Sequence, residues 1–263
     1  MKKFLLAATA VAALAAMDTA YAADLALKAP PAPPAYSWTG WYAGVNIGGS
    51  FGQARDTVSY GAPAVPFPPA STNADLDGVI GGGQIGYNMQ SNSWLFGLEA
   101  DIQGSSERAS AYRSGTVTTG IIGALVTTST GVLNDQEKLP WFGTVRGRVG
   151  LLASPTWLFY VTGGLAYGEI KSTESLTVTT ATPGGTATAA ASAGSNTTRA
   201  GWTLGGGVEG VISGNWTAKI EYLYMDFGTF NSASTGLGIF APVNLSTHVT
   251  DNVVRVGLNY HFH

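Results

Sequence analysis

Cysteine is absent from this 263-residue chain. Its absence excludes a disulfide framework and a lipid-anchored amino-terminal cysteine, and it suits an oxidising compartment where stray thiols are a liability. Charge is scarce too: 11% of residues, against roughly 25% in soluble domains. A soluble β-sandwich would not usually leave so few charges for its surface. Past the first twenty or so residues no apolar run is long enough for a membrane-spanning helix. The net charge of −3 gives no reason to expect a nucleic-acid partner.

The chain does contain 36 glycines, 11% aromatics and a repeated turn motif. Ser91-Asn92-Ser93-Trp94, Ser154-Pro155-Thr156-Trp157 and Ser213-Gly214-Asn215-Trp216 each sit between segments that alternate apolar and polar. That is the pattern of antiparallel hairpins carrying an aromatic residue at one height. Eight strands are expected: Gly40–Phe51, Gly78–Met89, Trp94–Gly104, Trp141–Leu152, Trp157–Ile170, Arg199–Ile212, Trp216–Gly228 and Asn252–Phe262. The connections alternate tight and long, which predicts an all-β fold. The fold expected is an eight-stranded antiparallel up-and-down transmembrane β-barrel with short periplasmic turns and long extracellular loops. The Ser/Thr/Ala/Gly-rich long connections, Thr177–Thr198 above all, read as weakly structured.

The faces then fix the orientation. In the last strand Val254, Val256, Leu258, Tyr260 and Phe262 face one way, and Arg255, Gly257, Asn259 and His261 the other. The same parity in other strands collects Glu99, Asp101, Glu209 and Glu221 with Arg146, Arg148, Lys219 and Arg255. Facing lipid, each cation would cost about 2–4 kcal/mol near the midplane. Facing inward, four acids and four bases can pair within the narrow bore of eight strands. The set is therefore expected to be a structural, self-neutralising lumen network rather than a selectivity lining. Trp41, Trp94, Trp157, Trp216, Tyr87, Tyr260 and Phe262 are expected to form the periplasmic aromatic girdle.

The amino terminus reads as a processing segment. Lys2 and Lys3 precede an apolar stretch and an Ala20-Tyr21-Ala22 cleavage site, so residues 1–22 are a signal peptide. Residues 23–37, with Lys28–Pro34, form a Pro/Ala-rich periplasmic linker, and residues 38–263 form the barrel domain.

Chemistry-bearing residues are sparse. His248 lies near Ser246, with only Asp251 as a nearby acid, which does not make a nucleophile–base–orienter set. His261 and His263 are too few for a metal site. Gly81-Gly82-Gly83 and Gly205-Gly206-Gly207 precede no helix and so are not phosphate loops. They suit close packing or strand curvature. No catalytic residue, metal or cofactor is expected.

The segment Tyr36–Gly49 (YSWTGWYAGVNIGG) resembles the opening of small alphaproteobacterial outer-membrane barrels of the OmpA-like β-barrel superfamily. These are the RopB-type outer membrane immunogenic or porin family proteins. Ala23-Asp24-Leu25 with its linker, Gly143–Gly150 and Asn252–Tyr260 fit the same group. The resemblance implies a surface-exposed barrel in the Gram-negative outer membrane with a role in envelope integrity, and no known catalytic site. A narrow porin is the alternative, and a lipid-modifying enzyme a further one. The partners implied are outer-membrane lipid and lipopolysaccharide, and the barrel-assembly machinery. That machinery would read Phe262, Tyr260 and Leu258, although His263 follows them. Ala23 carries two readings, a covalent tether to peptidoglycan and a plain cleavage scar.

Overall fold

The computed structural model describes residues 36–60, 70–122, 125–234 and 243–262. The expected signal peptide, most of the linker, Ala23 and His263 lie outside them. The described residues form eight strands: β1 (Gly40–Tyr60), β2 (Ala70–Ser91), β3 (Trp94–Ile122), β4 (Leu125–Ser154), β5 (Trp157–Thr182), β6 (Gly185–Ser213), β7 (Trp216–Ser234) and β8 (Val243–Phe262). Each pairs antiparallel with the next, and β1 pairs with β8 from Trp41↔Phe262 upward, closing the barrel. The turns Asn92–Ser93, Pro155–Thr156 and Gly214–Asn215 each take two residues. Asn92 and Gly214 adopt the left-handed conformation there, with φ of 54° and 51°, which Asn and Gly tolerate best.

Outside, a belt of exposed aliphatic side chains (Val45, Ile85, Leu98, Val145, Leu165, Ile220 and Val256 among them) runs around the barrel. Below it Trp41, Tyr87, Trp94, Trp157, Trp216, Tyr260 and Phe262 are exposed at the short-turn end. Trp41 lies against Tyr87 at 5.4 Å between ring centres, and Trp216 against Tyr260 at 5.2 Å. A second aromatic ring stands above the belt, where Trp141 meets Tyr167 at 6.2 Å and Trp202 meets Tyr224 at 5.3 Å. On β4 about ten residues separate Trp141 from Leu151 at the lower girdle. With the usual rise and tilt that is about 25 Å, the height of a lipid-facing band.

The strands run far beyond the expected boundaries. The β3–β4 ladder continues to Ile122↔Leu125, and the β5–β6 ladder to Thr182↔Gly185 around a Pro183–Gly184 turn. The Thr177–Thr198 segment, expected to be weakly structured, is hydrogen-bonded strand throughout apart from that turn. Its low hydrophobicity misled, because β-branched Thr at alternate positions suits a solvated pleated surface. Ladder contact between β2 and β3 stops at Asp77↔Arg108, and between β6 and β7 at Trp202↔Asp226. Above that rim the barrel divides into two four-stranded sheets, β3–β4–β5–β6 and β2–β1–β8–β7.

Candidate functional site: a layered, closed lumen

The interior positions are filled in three layers. The lowest is aromatic and apolar: Trp38, Leu95, Leu158 and Tyr160 are buried, with Tyr36, Leu152 and Val211 packed against them. Trp38 lies just before β1 and turns back into the mouth. Its indole N–H donates to the Pro155 carbonyl at 3.0 Å, and the Gln90 side chain accepts its backbone N–H at 3.1 Å. Tyr36 stacks edge-on to Trp38 at 5.2 Å. Burial, with Glu209 nearby, pushes the Tyr36 phenol well above its ordinary range.

The middle layer brings together all eight charged residues that the sequence singled out, each at most 5% exposed. Strand register sets three oppositely charged pairs face to face, Glu99↔Arg146, Glu209↔Lys219 and Glu221↔Arg255. Cross-strand neighbours of this kind attract. Arg146 is the hub. It pairs with Glu99, with Asp101 at 3.0 Å and with Glu221 at 3.0 Å. Arg255 joins Glu221 at 2.6 Å and Asp101 at 2.9 Å, and Lys219 reaches Glu99 at 2.9 Å. Arg148 pairs with Glu209 at 3.1 Å, and its guanidinium sits between the rings of Tyr42 and Tyr160, 5.0 and 4.9 Å from their centres. That is cation–π distance on both faces.

Sequence reasoning put Asn259 on the inward face but did not identify the neutral partners that serve the charges of this layer. Tyr42 donates to Glu99 at 2.7 Å and Tyr160 to Glu221 at 3.0 Å. Thr217 and Asn259 donate to Glu209 at 2.6 and 2.8 Å, and Thr144 donates to Asp101 at 2.8 Å. Asn46, Gln84 and Asn259 form a chain of 2.6 Å hydrogen bonds beside them. Buried carboxylates need such donors to satisfy the lone pairs that the cations leave. Part of the signal was available: Asn259, Thr217 and Thr144 share the inward parity of Arg255, Lys219 and Arg146 on their strands, whereas β1 and β5, which carry Tyr42 and Tyr160, contribute no charge to the network. Glycine supplies the room: a Cβ on Gly164 would lie 2.8 Å from the Arg146 Cα, and one on Gly48 2.7 Å from the Arg255 Cα. Gly205 and Gly207 likewise abut Leu223 and Tyr160, which is the close packing expected of the triple-glycine run.

The upper layer departs from a wholly charged interior. Ile80, Leu139, Phe142, Ile170, Leu223, Met225, Phe227, Val249 and Val253 form a buried apolar cluster inside the barrel. Their strands carry apolar residues on both faces here, so period-two reading could not assign a side. Within this layer Ser50 donates to Asp251, and Ser105 donates to Glu107 at 2.9 Å.

The two described histidines take different places, and His261 lies at the lumen mouth on the inward face that strand parity gives it. His248 Nδ1 is 3.0 Å from the Thr229 hydroxyl and its Nε2 3.7 Å from Asp226. Asp251, the acid near it in sequence, is buried instead beside Ser50. His261 is fully buried in the lower mouth, stacked on Tyr42 at 5.3 Å and 3.6 Å from Glu209. Among the described residues no group of three or more His, Cys, Asp or Glu side chains could hold a metal. Leu258, Tyr260 and Phe262 are exposed on the outer face of β8.

An aliphatic outer belt between two aromatic rings, a filled interior with a charged middle layer and eight closed antiparallel strands define a small outer-membrane β-barrel, resident in the Gram-negative outer membrane. The family model described as outer membrane protein beta-barrel domain matches residues 4–262, and the chain belongs to that family. It is 38% identical over 262 residues to a 31 kDa outer-membrane immunogenic protein of Brucella melitensis biotype 1, covering 96% of this chain and 98% of that one. It is 30% identical to a 22 kDa outer membrane protein of Rhizobium leguminosarum bv. viciae, covering 80% and 81%. Among solved structures it is similar to the outer membrane protein OprG from Pseudomonas aeruginosa, with 12% identity, a TM-score of 0.47, and 86% and 97% of the two chains covered.

Proposed function

We propose that this protein is a structural outer-membrane barrel with a closed lumen, contributing to envelope integrity and presenting its upper sheets to the exterior. The observation that carries this reading is the middle layer. Eight charges pair with one another, and they lie between a Trp38-capped aromatic layer and an apolar one. A selectivity lining needs charges that face water and a passing ion. These face each other. Gly257, the inward position at which a bulky residue would block an open bore, already has little room. A Cβ there would lie 3.2 Å from Gln84 Nε2 and 3.3 Å from Lys219 Cγ.

The test is single-channel recording of the refolded chain in a planar bilayer, with folding checked by the heat-dependent gel shift. The expected result is a folded, silent protein. Steady, discrete conductance would establish the narrow-porin reading in its place.

We propose further that residues 1–22 are removed on export and that residues 23–37 form a periplasmic linker. Ala23 would be tethered to peptidoglycan, and the barrel-assembly machinery would read Phe262, Tyr260 and Leu258. The support is the sequence pattern at both ends and the outward placement of the last three side chains.

A further inference from the structure

Three cations lie side by side on the outside of the barrel. Arg108 on β3 is directly opposite Lys138 on β4, and Lys138 is directly opposite Lys171 on β5. All three point outward. Their strand neighbours Glu107, Ala109, Glu137, Leu139 and Ile170 are buried in the lumen, whereas Arg108 and Lys138 are exposed and the Lys171 side chain is 42% exposed. Like charges directly opposite one another on a sheet repel. Lys138 has one on each side.

Among the described residues, acid on the same face reaches only the ends of this row. Glu169 lies 3.6 Å from Lys171 and also accepts the Trp141 indole N–H at 3.0 Å, and Asp77 stands opposite Arg108 in the register. The height matters as much as the charge. Trp141 pairs with Glu169, so the row sits two to three residues beyond the upper aromatic girdle, on the long-strand side. That is about 7–10 Å past the edge of the apolar belt, where the headgroups of the outer leaflet touch the barrel wall. Adjacent strands are about 4.8 Å apart, so the three cations span about 10 Å, wide enough for a headgroup bearing more than one phosphate. Lysine and arginine at the membrane surface attract anionic lipid in this way.

We propose that Arg108, Lys138 and Lys171 form a docking site for a phosphorylated lipid headgroup of the outer leaflet. An anion bridging the three relieves the repulsion that the register builds in, and the lipid's acyl chains lie along the aliphatic belt beneath. The site is separate from the lumen, so a conducting barrel would leave it intact.

The experiment titrates the refolded full chain in neutral-detergent micelles with bis-phosphorylated lipid A, reading bound lipid by native mass spectrometry. Inorganic phosphate and phosphatidylcholine are run in parallel. Expected are discrete lipid A adducts on the wild type. A Lys138→Gln/Lys171→Gln double variant should bind at least tenfold more weakly, and Lys138→Arg should keep binding. The substituted side chains are on the outside, and the heat-dependent gel shift verifies that each variant folds. Equal lipid A binding by wild type and the double variant overturns the proposal. So does phosphatidylcholine binding as tight as lipid A, or inorganic phosphate competing at equal concentration, since either shows that no phosphorylated lipid headgroup is selected.

Discussion

Arg146 reaches three carboxylates within 3.0 Å, where Arg255 reaches two. Removing it strands Glu99, Asp101 and Glu221 in an enclosed layer with Lys219 and Arg255 as their main remaining counter-charges. Breaking a buried ion pair by deleting one partner costs about 3–5 kcal/mol. Arg146→Ala should therefore lower folding stability by about that amount, read as a shift in the urea midpoint of the gel-shift transition, while leaving the bilayer silent. A folded Arg146→Ala barrel of unchanged stability would show the network to be dispensable. These eight charges were legible in the sequence because a charge at an inward position stands out against alternating apolar neighbours. The inward face of Asn259 could be read from Arg255 on the same strand, but Tyr42 and Tyr160 could not be placed, since β1 and β5 contribute no charge that would mark their inner face. Trp38 was hidden for a different reason. It precedes the first strand, and only the folded chain shows it turning into the mouth.

At the scale of elements, the tight turns and the strand cores between them could be read from Trp94, Trp157 and Trp216, because each follows a two-residue loop. The upper halves of the strands could not. Stretches such as Thr186–Gly194 lack the large apolar residues that mark a half-buried strand, and ladder pairing to β5 rather than burial defines them. The β5–β6 extension is held by its own backbone ladder and by β4, which pairs with β5 up to Thr128↔Ala181, and it lies above the girdle and the charged layer. Excising Thr177–Ala190 and closing Leu176 to Ala191, which are opposite each other in the register, with an Asn-Gly turn should leave the heat-dependent gel shift in place. Loss of the folded band would mean that the upper sheet takes part in closing the barrel.

For the molecule as a whole, the two ends are built for different surroundings. The short-turn end is capped by Trp38 and ringed by aromatic residues, and the chain enters β1 there. If Ala23 is tethered, the barrel is an outer-membrane rivet to the cell wall. Lysozyme digestion of purified sacculi should then release a muropeptide-linked amino-terminal peptide beginning at Ala23, detected by mass spectrometry. Finding only the unmodified Ala23 terminus would leave the cleavage-scar reading. Family and location were legible in the Tyr36–Gly49 and Asn252–Tyr260 segments of the sequence. The division above the rim was not, because it depends on where the β2–β3 and β6–β7 ladders stop, and no local pattern marks those points.

The tall β5–β6 ladder has one further consequence. Its Pro183–Gly184 tip stands well clear of both the lipid belt and the ion pairs, at the edge of the four-stranded upper sheet, with a register set residue by residue below it. Foreign sequence spliced into that tip would be carried out from the cell on a ready-made mast, and the barrel beneath would fold without reading what it displays.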